Sequence, residues 1–327
     1  MEYSQLKVSD FGEKSLIKLI IDKTKKYQNI LVEIGDDASI LNIHKYDNLI
    51  VSTDMLIQSR HFPKEMSYKE MGFKSVTVNV SDLAAMGSKP LGFLLSIAIF
   101  KDLLIEDFDQ LIEGVLDACD YYNIALVGGD TNEADEIIIS GTAIGTNDEK
   151  ILKKSGFKSG DLVCITGKLG LAALGFELFD KNFSSQISKI AILKALKPIA
   201  RIKEGLILKD FATSATDISD GLSSELYELL NSNKEKLGIL IYEEKLNISE
   251  EYKKVSKSIN KDYLDLVLNF GEDFELLFTV SKENSLKLKE KLKFIVIGEV
   301  NNSSKVEIKK INGKVEKLSS KGYEHFS

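Results

Sequence analysis

The chain has 327 residues, more than one ordinary hydrophobic core holds, so two domains are expected. With 43% hydrophobic and 28% charged residues, 3 prolines and no low-complexity tract, the composition is globular and leaves little room for long disordered linkers. A net charge of −7 excludes the basic stripe that binds nucleic acid, and the longest apolar run, PLGFLLSIAIF, is about half of what a membrane span requires.

Residues 13–26 predict a helix with Leu16, Ile17, Ile20 and Ile21 on one stripe. NLIVSTDML (48–56) and GFLLSIAIF (92–100) read as buried strands. Between Tyr68 and Gly87 the pattern is mixed: SVTVNV alternates like a strand, yet Val76, Val80 and Leu83 share a helical face. Helix is the better reading, because strand then repeats after helix across the first half. Residues 105–122 carry apolar groups at helical spacing, NIALVGGDT follows as strand then turn, and 136–146 is another strand. The polar, glycine-bearing stretch 145–161 closes the first block, which places a domain boundary near residue 148, with domains 1–148 and 149–327. The second block opens on strand DLVCITG and passes through helical patterns near 171–180 and 186–209 to ATDISDGLSSEL (215–226). GEDFELLFTV (271–280) and KFIVIGEV (293–300) are later strands, and the lysine-rich KLKEKLKF and KVEIKKINGKVEK, interspersed with acids, read as solvated faces. No period of 20–50 residues is present.

Cys119 and Cys164 are far apart, in apolar surroundings and without a CxxC pair, so neither a zinc site nor a disulfide framework is expected. Acids appear early in MEYSQLKVSDFG and no small-residue cleavage site follows, so no signal peptide is expected and a cytoplasmic location is.

Aspartates recur at the margins of apolar runs. Asp36 and Asp37 sit in EIGDDASI, Asp54 closes the strand in STD, Asp82 sits in NVSDLAAMG, and Asp130 ends the run VGGDT. Asp217 and Asp220 flank Ser219, and Glu272 with Asp273 sit in FGEDFEL. Any one of these is what a helix cap or turn requires. As a set they mark the loops where an α/β sheet builds a site, and converging carboxylates repel unless cations lie between them. Magnesium takes oxygen ligands and joins carboxylates to phosphates, and the neighbouring hydroxyls of Ser52, Thr53, Thr131 and Ser219 extend the set. The residue types therefore point to a magnesium–polyphosphate site. GDLVCITGKLG is not a P-loop, because Leu162 stands where its first glycine belongs and Leu169 follows the lysine. GxGxxG, HExxH and GxSxG are absent as well.

The ordered series EIGDDA, STDMLIQSRHF, NVSDLAAMGSKP, GGDT, ATDISDGL, GEDFEL and KGYEHF resembles the thiamine-monophosphate kinase family, over nearly the whole chain. Its wider superfamily includes aminoimidazole ribonucleotide synthetase, selenophosphate synthetase and a hydrogenase-maturation dehydratase. The resemblance implies two α/β (α+β) domains. The N-terminal one is a mixed sheet with helices, binding ATP and metal and pairing into a barrel across a homodimer; the C-terminal α+β domain completes the cleft. It implies transfer of the γ-phosphoryl group of ATP to thiamine monophosphate through several magnesium ions. Position by position, Asp37, Ser52, Thr53, Asp54, Asp82, Asp130, Asp217 and Asp220 would bind magnesium. Gly129, Asp130, Lys154 and Ser219 would meet ATP, and His61, Glu272 and Ser320 the thiamine substrate. The nucleophile is a phosphate oxygen already anionic at neutral pH, so no general base and no covalent phospho-enzyme are expected. Two positions depart from the pattern. Lys154 stands where the family has arginine, which keeps the charge but loses the bidentate fork. Ser319 and Ser320 stand where an aromatic precedes the KGY ending, with Tyr323 a candidate replacement. The rival readings are a superfamily enzyme with another acceptor, a metal-dependent phosphohydrolase and a nucleotide-binding regulatory module.

Overall fold

The computed structural model describes residues 6–32, 40–44, 48–147, 150–181 and 183–322. The chain divides into two compact units, residues 1–83 with 88–149 and residues 84–87 with 150–327. The boundary expected near 148 falls on residues outside those described, as do Asp36, Asp37 and the ending from Tyr323.

The first unit opens with α1 (Val8–Phe11), α2 (Glu13–Lys23) and a short pair, β1 (Ile30–Val32) and β2 (Ile40–Leu41). It continues through β3 (Asn48–Ile57), α3 (Gln58–His61), α4 (Tyr68–Ala85), β4 (Lys89–Ile99), α5 (Ile105–Tyr122), β5 (Ala125–Glu133) and β6 (Ile138–Asn147). The last four strands form a sheet in the order β3-β6-β4-β5, with β4 and β5 parallel across the α5 crossover and the other pairs antiparallel. α5 matches its expected bounds because Phe108, Leu111, Ile112, Val115 and Cys119 recur at helical spacing, and Asn123 in a left-handed conformation ends it. α4 is the helix the strand-like SVTVNV obscured. Its middle is buried all round: Ser75, Thr77, Asn79 and Ser81 lie inside along with Val76, Val80 and Leu83, and so apolar and polar residues alternate without a wet face.

The second unit holds β7 (Leu162–Ile165), α6 (Leu171–Leu178), α7 (Gln186–Leu196), α8 (Ile202–Leu208), β8 (Ala212–Asp217), α9 (Leu222–Ser232) and β9 (Gly238–Tyr242). After a 3-10 turn come α10 (Glu250–Ser258), α11 (Tyr263–Asn269), β10 (Leu276–Val280), α12 (Lys282–Leu288), β11 (Ile295–Asn301), β12 (Val306–Lys309) and β13 (Val315–Lys317). Seven strands run in the order β13-β12-β9-β11-β7-β10-β8, with only the β12–β9 pair parallel. One continuous core, including Val163, Leu174, Leu222, Leu226, Ile239, Leu277 and Ile297, packs the helices onto this sheet. No helix among the described residues is long and apolar enough to cross a membrane.

Three expectations are corrected. The pattern read as one helix over 186–209 is two, α7 and α8, because Pro198 interrupts it. GEDFELLFTV is a strand only from Leu276; Glu272 and Phe274 have φ of +69° and +49°, so the GED stretch is a tight loop. KVEIKKINGKVEK is not merely a solvated face: it forms the β12–β13 hairpin, with Val306 and Ile308 buried and Asn312-Gly313 at the turn.

Candidate active site

In the first unit the STD stretch lies inside β3 rather than at its end. All ten residues of β3 pair with β6, so the strand continues three residues past Asp54. Alternation then gives its faces different work. Leu49, Val51, Thr53 and Met55 are exposed, while Ser52 and Asp54 are half-buried on the other face. From α4, Asp82 accepts a short hydrogen bond from the Ser52 hydroxyl, and Asn79, one turn earlier, accepts one from the Asp54 backbone N–H at 2.9 Å. Gly141 of β6 permits this approach. A Cβ there would lie 2.3 Å from the Asn79 amide nitrogen and 2.7 Å from the Phe93 ring. Thr53 donates to the Gly141 carbonyl at 2.8 Å and accepts from Thr142 at 3.0 Å.

Asp130 likewise lies inside β5, not in a turn after it, because the strand continues beside β4 to Glu133. Register places Asp54 in a row with Gly141, Leu95 and Gly129, and Asp130 in the next row with Ser96, Ser140 and Met55. Asp54 and Asp130 thus stand on opposite faces, three strand spacings or ~14 Å apart. One copy of this sheet does not gather the aspartates as their recurrence suggested. Among the described residues no group of three or more His, Cys, Asp or Glu is placed to hold a metal. What it does assemble around Ser52, Thr53, Asp54 and Asp82 is an all-oxygen donor set, which fits magnesium and offers no nitrogen or sulfur for zinc.

His61, on α3 directly after β3, is fixed from two directions. Its Nδ1 lies 2.9 Å from the Ile57 amide nitrogen and accepts that N–H, which leaves the ring proton on Nε2. Its carbonyl accepts from the fully buried Lys74 ammonium at 2.9 Å, and that charge also lies 5.8 Å from the centre of the Phe62 ring.

The second unit gathers its candidates more tightly. Asp217 ends β8, and Ser219 and Asp220 form the turn into α9, whose N-terminal flank is Gly221. The GED loop is laced to this turn: Glu272 N–H donates to the Ser219 carbonyl at 2.7 Å and Phe274 N–H to the Ile218 carbonyl at 3.0 Å. Gly271 is obligatory, since a Cβ would lie 1.8 Å from the Ser219 carbonyl oxygen. Two left-handed non-glycine residues in so short a loop store strain, of order 1–3 kcal/mol each, that something must hold. Asp273 does so. Its buried carboxylate accepts from Gly170 N–H at 2.7 Å and Ala172 N–H at 3.4 Å, which caps α6 from about a hundred residues away in sequence. Burial nevertheless pushes its pKa up to about 7 against those two donors.

Glu225, on the buried face of α9, accepts from the Thr216 hydroxyl at 3.1 Å. Its pKa rises to about 8, first through burial and then through the neighbouring Asp217 charge, with Lys154 opposing. Lys154 runs beside β8, where Ala215 N–H donates to the Lys153 carbonyl, and its ammonium lies 3.5 Å from Glu228 on α9. Ser320 is exposed; next to it Lys321 N–H donates to the Ser223 hydroxyl, and Gly322 packs against Ser224 and the Asp220 carbonyl. Below the loop, Glu275 accepts from Thr166 and from both Arg201 Nε and its terminal nitrogen. The sequence reading missed Asn79, Asp273, Glu225 and the Arg201–Glu275 pair. A polar residue on an apolar helix face was a signal for Asn79 and Glu225; the other two gave none.

Residues 35–147 match the family model described as AIR synthase related protein, N-terminal domain, and residues 158–311 the corresponding C-terminal domain. A two-unit α/β protein of that class is what the sheets and their carboxylate-bearing turns define. Over 296 residues the chain is 39% identical to the thiamine-monophosphate kinase of Pyrococcus abyssi, covering 90% of this chain and 91% of that one. It is 30% identical to that of Escherichia coli K12 over 97% of this chain and 98% of the relative. Among solved structures, the thiamine-monophosphate kinase of Stenotrophomonas maltophilia superposes with TM-score 0.77 at 28% identity, covering 91% of this chain and 96% of that one. AaThiL complexed with AMPPCP and TMP superposes with TM-score 0.76 at 28% identity, covering 99% and 100%. A hydrogenase maturation protein, HypE, shares the fold at 17% identity, TM-score 0.75, covering 94% and 98%. The chain belongs to the thiamine-monophosphate kinase family.

Proposed function

We propose that the protein transfers the γ-phosphoryl group of ATP to thiamine monophosphate, giving thiamine diphosphate and ADP. The observation that carries this reading is the near full-length match to thiamine-monophosphate kinases, which includes a relative complexed with AMPPCP and TMP. A terminal oxygen of thiamine monophosphate attacks the γ-phosphorus, the bond to the ADP oxygen breaks, and no enzyme-bound phosphate forms. The task of the protein is to place two anions in line and to oppose their repulsion. Magnesium, when bound, supplies the neutralising charge, and Ser52, Thr53, Asp54 and Asp82 are the residues of the first sheet that would hold it. Asp37, Asp130, Asp217 and Asp220 complete the proposed ligand set. Asn79 and Gly141 keep the Asp54 backbone in place for that role. Gly129, Lys154 and Ser219 take the nucleotide, with Lys154 as a point charge where a fork would bind two oxygens. His61 presents Nε2–H, and Glu272 its carboxylate, to the thiamine substrate, with Ser320 beside them in that role.

The protein acts as a homodimer. Support comes from β3 and β5, each with one unpaired edge, and from Leu49, Val51 and Met55, all more than half exposed on the open face of that sheet. A cytoplasmic location fits two cysteines that are buried and unpaired.

Incubation with ATP, magnesium and thiamine monophosphate, followed by chromatography for thiamine diphosphate, tests the reading. Diphosphate forms from the monophosphate and not from free thiamine, and Asp130→Asn lowers the rate by at least ~100-fold. ADP released only with a different acceptor would replace the substrate. ADP and free phosphate released with no acceptor would make the protein a phosphohydrolase.

A further inference from the structure

Phe176 of α6 and Phe270, the residue that follows α11, lie with ring centres 5.5 Å apart and planes at 35°. Phe179 meets Phe176 edge-on at 5.5 Å and 82°. All three rings are only half-buried, on the rim of the second unit's core. The rigid elements that carry them are those that build the GED loop. Asp273 caps α6, which bears Phe176. The carbonyl of Phe270 lies against Gly221, where a Cβ would be 3.0 Å away, and Gly271 is seated on Ser219. Glu272 follows two residues after Phe270, held at φ +69°. A fixed, partly open aromatic pair is thus placed beside a fixed carboxylate and the Ser219–Asp220 turn.

That combination selects a ligand by chemistry. The face of an aromatic ring attracts a cation, and a nearby carboxylate adds the opposite charge. Neutral adenine satisfies only the stacking half of it. The thiazolium ring of thiamine monophosphate is planar and permanently cationic, and satisfies both. The described end of the chain, Ser319–Gly322, contributes no ring that would compete for this place.

We propose that Phe270, backed by Phe176, is the ring face on which this protein recognises the thiazolium of its substrate, with Glu272 balancing the charge. The proposal rests on the function given above. It makes Phe270 a determinant of substrate specificity rather than of phosphoryl transfer.

The test uses two ligands: thiamine monophosphate and an analogue with the same phosphate whose thiazolium is replaced by a neutral thiophene ring. Calorimetry on the full chain reads binding, and steady-state kinetics read KM. Wild type should prefer the cationic ring by ~10–30-fold. Phe270→Leu, which keeps an apolar side chain of similar size, should raise KM for thiamine monophosphate ~10-fold and collapse the ring preference to a few-fold, with KM for ATP within about twofold. Phe270→Tyr should restore both, and Phe176→Leu should show a smaller rise. Equal losses toward both ligands, or equal rises in both KM values, would reduce Phe270 to a core residue and overturn the proposal. Turnover that ignores Phe270 refutes the ring site and leaves the kinase standing. Ring-selective binding without any diphosphate formed refutes the kinase and leaves the ring site.

Discussion

Glu225 is a carboxyl that holds its proton near neutrality because burial and the charge of Asp217 both disfavour ionisation. Its folded pKa, about 8, lies above the ordinary value of 4.5, so between those values the folded chain binds a proton that the unfolded chain has lost. Stability from this group is therefore full below pH 4.5 and lost as pH rises toward 8, the reverse of the usual salt-bridged carboxylate. In magnesium-free buffer, urea unfolding across that window should show stability falling with pH by up to ~1.4 kcal/mol per unit from this residue. Glu225→Gln should flatten the profile and gain most at pH 8; an unchanged slope would place the proton elsewhere. The aspartates around such groups were legible in the sequence because they recur beside glycine and hydroxyl residues at the margins of apolar runs. Their supports were not. Asn79 acts on Asp54 and Asp273 on Gly170, and pairs 25 and 103 residues apart leave no local pattern.

At the scale of elements, the β3–β6–α4 contact decides whether the first-unit donors keep their places. Gly141→Ala would push a methyl group into Asn79 and Phe93. Overpacking of this kind costs about 1–3 kcal/mol. Displacing Asn79 also releases the Asp54 backbone, so thermal unfolding should fall and the magnesium concentration for half-maximal rate should rise together. A drop in stability with magnesium dependence intact would separate packing from the site. Periodicity sufficed to find α5 and the body of α4, since their apolar spacing is local. It misjudged strand ends at Asp54 and Asp130, because strand length here is set by ladders with partners that polar residues join as readily as apolar ones. The β12–β13 hairpin did announce itself through Asn312-Gly313, hidden only by the lysines around it.

For the whole molecule, the open face and free edge of the first sheet bear on assembly. Val51→Lys places a charge at the centre of the exposed row Leu49, Val51, Met55. Light scattering after gel filtration should give twice the chain mass for wild type and one chain mass for the variant. A variant that stays dimeric would move the interface off this face. That two blocks exist was readable from length and from the polar stretch 145–161, whereas the return of residues 84–87 to the second block was not, since it follows from tertiary contact alone. Cys119 belongs to the first unit and Cys164 to the second, both buried, with burial pushing each thiol well above the usual range. In the native fold neither is a nucleophile. The molecule therefore carries one silent chemical clock in each half. An alkylating reagent reaches each sulfur only when its own half opens, so the two labelling rates time the two openings separately, with no substitution introduced.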